Sequence, residues 1–210
     1  MNTLSADVIV VGGGSAGCSA ALRMRELGIR PLLVSKGLVG KSGCSIFAGA
    51  LIVGGTMLDS TPAHAGASIE FFVKYYSQYL VDQVYLKGAG AWIEEVFYPE
   101  LDEAGLYFRR DHEGRIVTSI GPVRWLCAAS QGQSGILLMD RRRKQLAAAG
   151  VDILEETAVT TLLTDDHGAV AGVIALHLPT GELHAVRARA VVLATGHADR
   201  LTKRATGTRE

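Results

Sequence analysis

The stretch Asp7-Val8-Ile9-Val10-Val11-Gly12-Gly13-Gly14-Ser15-Ala16-Gly17 decides the fold. Val8 to Val11 is a short apolar run without polar alternation, the pattern of a strand buried on both faces in a parallel sheet. It breaks on three glycines, and a helix-compatible stretch, Ser15 to Leu27, follows at once. Gly12-x-Gly14-x-x-Gly17 is therefore the dinucleotide-binding spacing in the context it requires, strand before and helix after. Gly12 allows the tight turn, Gly14 lets a pyrophosphate approach the backbone, and Gly17 lets the helix pack close to the strand. The N–H groups of the helix's first turn then face the phosphates, and the helix dipole favours their charge. Gly12, Gly13, Gly14, Ser15, Ala16 and Gly17 are the residues expected to hold a pyrophosphate.

Working outward, Ala16, Ala20, Met24 and Leu27 fall on one helical face with Arg23, Arg25 and Glu26 away from it, which predicts an amphipathic helix on a sheet. Gly28 ends that helix, and Pro31-Leu32-Leu33-Val34 supplies the second strand of a β-α-β unit. The strand runs into Ser35-Lys36, where dinucleotide sites usually place an acidic residue for a ribose. Ser35 can still hydrogen-bond a ribose hydroxyl, more weakly than a carboxylate, which speaks against an ordinary NAD site. The loop from Gly37 to Ala50, followed by Gly54-Gly55, is rich in backbone N–H groups and small hydroxyls. Interleaved apolar residues favour a loop that wraps a long cofactor over a flexible connection. Its candidate contacts are Ser42, Gly43, Cys44, Ser45, Gly49 and Ala50.

Residues 60 to 130 differ in character. Ile69, Phe72, Val73, Tyr76, Leu80 and Val84 recur at helical spacing, with Trp92, Val96 and Leu101 less regular, so this region reads as a helical insertion whose aromatics belong to a core. Leu101 to Leu106 reads as a helix end. Tyr107-Phe108-Arg109, the turn Asp111-His112-Glu113-Gly114 and Arg115-Ile116-Val117 read as a hairpin. A helix is predicted from Ile136 to Ala149, ended by Gly150. From Val151 the pattern turns to strands: Val151 to Glu155, Ala158 to Leu163, Ala169 to Leu178 and Glu182 to Arg187, with turns at Asp165-Asp166-His167-Gly168 and Thr180-Gly181.

The chain has 210 residues, enough to bury a core of one domain or a little more, and its 48% apolar and 20% charged composition is that of a globular protein. Its formal net charge of zero argues for no nucleic-acid partner. The one basic run, Arg141-Arg142-Arg143-Lys144, reads as a solvated helix face. Cys18, Cys44 and Cys127 are few and widely spaced, which suggests a reducing compartment. The six histidines lack the spacing of a helical metal pair and no Cys-x-x-Cys occurs, so no metal site is expected. Gly13 to Gly17 does not read as a hydrolase elbow, because the residues around Ser15 suit a phosphate turn. No run is apolar and long enough for a transmembrane helix, and Met1 to Ser5 has no basic region of a signal peptide and leads straight into the first strand. The chain reads as cytoplasmic, and peripheral attachment at the inner face of a membrane is compatible with it.

The glycine turn, the Ser35-Lys36-Gly37 end of the second strand and the small-residue loop together resemble the flavoprotein subunits of succinate dehydrogenase and fumarate reductase, a family that includes L-aspartate oxidase. Ala188-Arg189-Ala190-Val191-Val192-Leu193-Ala194-Thr195-Gly196 is similar to that family's last strand before a second flavin-contacting turn. The resemblance implies an α/β, Rossmann-like FAD-binding fold with a parallel central sheet, a β-meander and a helical insertion. Residues 1–210 would be the FAD-binding domain, with 60–130 inserted within it. FAD would be the cofactor, its adenosine side at Ser35 and Lys36, its adenine against the backbone at Ala158 and Val159, and its flavin end at Gly43 to Ala50 and Thr195-Gly196.

Three departures from the family pattern matter. Gly43 stands where succinate dehydrogenases carry a histidine bonded to the flavin, so noncovalent FAD is expected, as in L-aspartate oxidase. Ser134-Gly135-Ile136 replaces a Thr-Gly-His, which removes a polar contact, and Thr195-Gly196-His197 replaces Thr-Gly-Gly. His197 reads as solvent-facing, with a flavin contact as the alternative. Cys44 reads as a small packed side chain, with a reactive thiol near the isoalloxazine as the alternative.

The implied activity is flavin-mediated hydride transfer to or from a small dicarboxylate-like acid. An iron–sulfur or other electron-transfer subunit is a possible partner. The family's capping and C-terminal domains, with its catalytic residues, are expected beyond residue 210, so the chain reads as partial and as inactive alone. L-aspartate oxidase is the alternative within the family. An NAD(P)-linked dehydrogenase and a non-catalytic FAD-binding module are the alternatives outside it.

Overall fold

The computed structural model describes residues 2–48, 52–53, 73–74, 77–103, 111–114, 123–124 and 134–197. In chain order the described elements are β1 (Asn2–Ser5), β2 (Val8–Val11), α1 (Ser15–Glu26), β3 (Pro31–Val34), a 3-10 turn (Cys44–Phe47), β4 (Ile52–Val53), α2 (Gln83–Trp92), a π-helical segment (Ile93–Phe97), α3 (Tyr98–Glu103), β5 (Val123–Arg124), α4 (Ser134–Ala148), β6 (Asp152–Leu154), β7 (Thr157–Thr164), β8 (Val170–His177), β9 (Glu182–Arg187) and β10 (Ala190–Leu193). The chain divides into two compact units, Met1–Ile46 with Leu138–Glu210, and Phe47–Leu137.

The first unit is built on a sheet of order β10-β2-β3-β6, parallel throughout. Its register pairs Ile9 with Leu32, Val10 with Leu33 and Val11 with Val34. Side chains alternate along a strand, so this register sends Val10 and Leu33 to one face and the other four residues to the opposite face. On the first face Val10 and Leu33 pack with Cys18 and Ala21 of α1, Met139 and Leu146 of α4, Val39 and Val151. On the second, Ile9, Val11, Leu32 and Val34 pack with Val173, Ala175 and Val186 of a second sheet, ordered β1-β9-β8-β7. Both faces are covered, which is why β2 and β3 carry no polar residue.

The mixed α/β architecture, the parallel sheet, the meander β7-β8-β9 and every strand expected after Val151 are present. Five expectations need correction. Asn2–Ser5 does not merely lead into the first strand; it is a strand itself, paired in parallel with β9. Sequence pattern missed it because only Leu4 of its four residues reaches a core.

The fully buried residues of α1 are Gly17, Cys18 and Ala21; of the expected face, Ala20 and Met24 pack against the same core, while Ala16 is exposed and Leu27 is 61% exposed. The helix makes its closest approach through Gly17, with the larger Leu22 and Met24 packing partly buried beside that contact.

In the second unit, the helical spacing drawn through Leu80 to Val84 does not form one helix. Ser77–Leu80 is a turn with Gln78 and Tyr79 in left-handed backbone, and α2 starts at Gln83 after an Asp82 carboxylate that accepts the N–H groups of Val84 and Tyr85. The aromatics there are not uniformly core. Phe97 is buried, but Tyr79, Tyr85 and Trp92 are exposed, with Trp92 stacked on Phe97 at 5.6 Å. The turn at Asp111 to Gly114 is closed by the Gly114 N–H to the Asp111 carbonyl, while the strands expected on either side lie outside the described residues.

The basic run of α4 is likewise not a plain solvated face. Arg142 is only 3% exposed and Arg143 is engaged by Glu155, while Lys144 pairs with Asp140.

Candidate functional site

β2, β3 and β10 all end at one edge of the parallel sheet, the edge at which open α/β sheets bind ligands. Gly12 leaves β2 there, and its N–H donates to the Val34 carbonyl at 2.8 Å. Its φ of +115° belongs to glycine, and a Cβ on it would lie 2.2 Å from the Ala194 carbonyl oxygen just past β10. A Cβ on Gly17 would lie 1.9 Å from the Gly12 carbonyl oxygen, so helix and turn are in backbone contact. At Gly13 a Cβ would meet the Ser35 hydroxyl at 2.6 Å and a Val39 methyl at 2.7 Å. Gly14 is different. Among the described residues a Cβ on it would meet only the Ser45 hydroxyl, at 3.3 Å, and its φ of −77° is open to any residue.

Three glycines are thus held by the protein and the fourth faces outward. Gly14 is the N-cap of α1, with no side-chain cap bond and no acidic residue in the first turn. The Ser15 N–H donates to Ser45 Oγ at 3.0 Å and the Cys18 N–H to the Gly14 carbonyl at 3.0 Å. The N–H groups of Ala16 and Gly17 are those that α-helix geometry leaves without an intrahelical acceptor. An outward-facing glycine over a helix N-terminus without a carboxylate is a fit for a diphosphate.

The remaining predicted residues divide into those at this edge and those elsewhere. Ser35 is 4% exposed beneath Gly13, its backbone N–H bonded to the Leu154 carbonyl and its carbonyl accepting the Thr157 N–H. Lys36 is exposed. Ala158 and Val159 follow that Thr157 bond on β7, with Val159 packed on the core between the two sheets. Thr195 and Gly196 come directly off β10 and are exposed, Gly196 with φ +80°. The Ser42 hydroxyl is spent within its own turn, donating to the Leu38 carbonyl at 2.8 Å beside Gly37, and Gly43 has φ +83°. Gly49 and Ala50 lie outside the described residues.

Cys44 is not the small packed side chain expected. It is exposed, and its Sγ lies 2.6 Å from His197 Nε2. His197, read as solvent-facing, is exposed but turned onto that thiol. Cys18 is the packed cysteine. Burial pushes its thiol up to about 11, against the nearby charge of Arg142 and a backbone hydrogen bond.

The residues that fix the loop after β3 were not legible in the sequence. Glu155 accepts the Val39 N–H at 2.8 Å, and Arg143 donates through Nη1 to the Val39 carbonyl at 2.7 Å and through Nη2 to Glu155 Oε2 at 3.2 Å. These groups meet across 116 and 104 residues of sequence. Val39, so held, fills the space beneath Gly13. The hydrogen bond from Arg143 holds the Glu155 carboxyl below its ordinary 4.5, opposed by burial and aided by the Val39 N–H. Because the folded-state value is depressed, the stabilisation is complete above 4.5 and is lost as pH falls through the folded-state value. Glu155→Gln is expected to cost about 1–2 kcal/mol in urea unfolding near neutral pH. The difference from the unaltered chain should vanish in acid. A constant difference down to the acid limit would place the stabilisation elsewhere.

The profile of the FAD binding domain family matches residues 7–209. The chain belongs to this family. Its cofactor is FAD, and the FAD-binding-domain match runs from the residue before β2 to past the last described residue. Among similar proteins, the 8-methylmenaquinol:fumarate reductase flavoprotein subunit of Wolinella succinogenes is 28% identical over 202 residues, covering 91% of this chain and 31% of the relative. The L-aspartate oxidase of Streptomyces coelicolor is 30% identical over 204 residues, covering 92% of this chain and 33% of the relative. The chain thus spans about a third of the length of these relatives. A solved structure of Mycobacterium smegmatis Sdh1 superimposes with a TM-score of 0.82 at 23% identity, covering 99% of this chain and 36% of that one, and supports the fold. Among the described residues no helix is long and apolar enough to cross a membrane.

Proposed function

We propose that this FAD-binding domain holds its cofactor noncovalently, with the diphosphate on the Gly12–Gly17 turn, and serves a flavin-dependent oxidoreductase of the fumarate reductase/succinate dehydrogenase type. The observation that carries the reading is the first turn of α1, with no cap side chain at Gly14 and no acidic residue, and with Ser45 Oγ taking only the Ser15 N–H. The N–H groups of Ala16 and Gly17 would bind the diphosphate, Ser35 and Lys36 the adenosine, Ala158 and Val159 the adenine, and Ser42 to Ala50 with Thr195-Gly196 the flavin end. Residues 1–210 are read as one FAD-binding domain with a helical insertion at 60–130. When bound, FAD supplies hydride transfer at its N5, and the protein supplies position and field. The positive end of α1 would attract the cofactor's charge, and the buried ledge formed by Ser35 and Val39 lies beneath the turn at Gly13.

The substrate is read as a small dicarboxylate-like acid, because fumarate and L-aspartate, the acids in the two relatives' names, share that chemistry. The Wolinella succinogenes relative is by name a subunit, which supports another chain, read as an iron–sulfur or other electron-transfer subunit, as partner. A cytoplasmic setting, peripheral at the inner face of a membrane, fits such a partner.

The visible spectrum of the purified chain, repeated on supernatant and pellet after acid precipitation, tests the cofactor reading. A flavin spectrum that leaves with the supernatant is the expected result. Flavin retained in the pellet would overturn the noncovalent reading, and a chain that stays colourless after mixing with FAD and desalting would overturn binding by these residues. The substrate reading is checked on the natural polypeptide that carries this chain. Its reduced flavin should be reoxidised by fumarate, and failure to do so would remove the dicarboxylate assignment.

A further inference from the structure

Cys44 and His197 come from distant parts of the chain and meet at the edge of the glycine turn. Cys44 opens the 3-10 turn whose next residue, Ser45, accepts the Ser15 N–H of α1. His197 follows Thr195 and Gly196 off the end of β10, past the Ala194 carbonyl that confines Gly12. Both side chains are exposed, and Sγ lies 2.6 Å from Nε2. A thiol in hydrogen-bond reach of an imidazole is a nucleophile beside its base, and transfer of the proton leaves a thiolate stabilised by an imidazolium.

We infer that Cys44 and His197 form a nucleophile–base pair that takes up a small disulfide as a mixed disulfide on Cys44, in competition with FAD at the same turn. The competition rests on the FAD placement proposed above, whereas the nucleophile–base pair does not. In the reaction, His197 Nε2 accepts the thiol proton and the Cys44 thiolate attacks one sulfur of the disulfide. The new S–S bond forms as the old one breaks, and the departing thiolate takes the proton back from His197. One disulfide is exchanged for another, so no further oxidant is needed. An adduct on Cys44 would stand beside Ser45 and Gly14, where the cofactor must approach. A cell under oxidising conditions would then load this domain with FAD more slowly, and a reducing thiol would restore loading.

The chain contains its own control. Cys18 is fully buried, with its thiol pushed up to about 11, and should not react while the chain is folded. The cofactor-free chain is treated with glutathione disulfide near neutral pH, and each cysteine is followed by peptide mass spectrometry. Cys44 is expected to react about threefold faster than a cysteine in an unstructured peptide, the gain in thiolate fraction outweighing the lower nucleophilicity of each thiolate. His197→Gln should return it to the peptide rate. The ultraviolet absorbance of a thiolate should be present in the unaltered chain and absent from both Cys44→Ser and His197→Gln. Equal rates with and without His197, or no thiolate absorbance, would overturn the pair.

For the competition, saturating FAD should slow Cys44 modification at least about tenfold, the fraction of sites left open at a concentration about ten times Kd. Unchanged modification in a chain whose flavin spectrum shows FAD bound would overturn the competition and leave the pair standing. A chain that binds no FAD at all would count against the cofactor placement instead.

Discussion

Gly17→Ala is expected to lower the stability of the chain sharply. The added Cβ would lie 1.9 Å from the Gly12 carbonyl oxygen and 3.1 Å from its carbon, both backbone atoms. No rotamer relieves such a contact. Either α1 lifts from β2 or the turn opens, and both routes disrupt the packing of Cys18 and Ala21 against Val10 and Leu33. Overpacking a core costs about 1–3 kcal/mol where side chains can shift, and a backbone-on-backbone clash falls at or above the upper end. Against a total stability of about 5–15 kcal/mol, that is a large share. The control is Gly28→Ala, at a position with φ +76° but, among the described residues, no atom within 4 Å of the added Cβ. It isolates left-handed strain, worth about 1–2 kcal/mol. Urea unfolding of the three chains should place Gly17→Ala well below Gly28→Ala. Equal midpoints for the two variants would show that the helix does not depend on the close approach.

The same contact explains how much of the fold could be read in advance. β2, β3 and the turn between them were legible because burial on both faces demands an unbroken apolar run, and a positive φ at Gly12 demands glycine. The meander was legible because its turns at Gly168 and Gly181, both with positive φ, punctuate alternating strands. Where stability depends on partners remote in sequence, local pattern carried no signal. β1 is a strand because β9 lies beside it, although Asn2-Thr3-Leu4-Ser5 has no strand pattern of its own. Arg143 is drawn off the solvated face of α4 by Glu155, and Val39 is fixed by both. The glycine turn was legible from its spacing between a strand and a helix, because Gly12, Gly13 and Gly17 each answer to a close neighbour. The meeting of Cys44 with His197 was not, because the two are 153 residues apart and neither belongs to a recognisable spacing.

Gly14→Asp should abolish tight FAD binding in a protein at least as stable as the unaltered chain. At φ −77° and ψ −175° the position has the extended backbone of an ordinary N-cap, and a Cβ there meets the Ser45 hydroxyl at 3.3 Å, a contact that a shift of a few tenths of an ångström relieves while the Ser15 N–H stays bonded to that hydroxyl. Aspartate is among the best N-cap residues. Its carboxylate would accept an N–H of the first turn and complement the helix dipole, a gain of a few tenths to about 1 kcal/mol over glycine. Those are the donors assigned to the diphosphate, so the substitution fills the site with the charge it was built to receive. Two unit charges of one sign at about 4 Å repel by about 4 kcal/mol at an effective dielectric of about 20, and by less where water enters. A loss of about 2–4 kcal/mol weakens FAD binding roughly 30- to 1000-fold. Titration followed by flavin fluorescence measures the binding, and a thermal melt measures the fold. Stability without affinity separates the two tasks of the glycine turn, with Gly17 serving the fold and Gly14 the cofactor. A Gly14→Asp chain that binds FAD as the unaltered chain does would move the diphosphate away from the N-terminus of α1, even though the family assignment would stand.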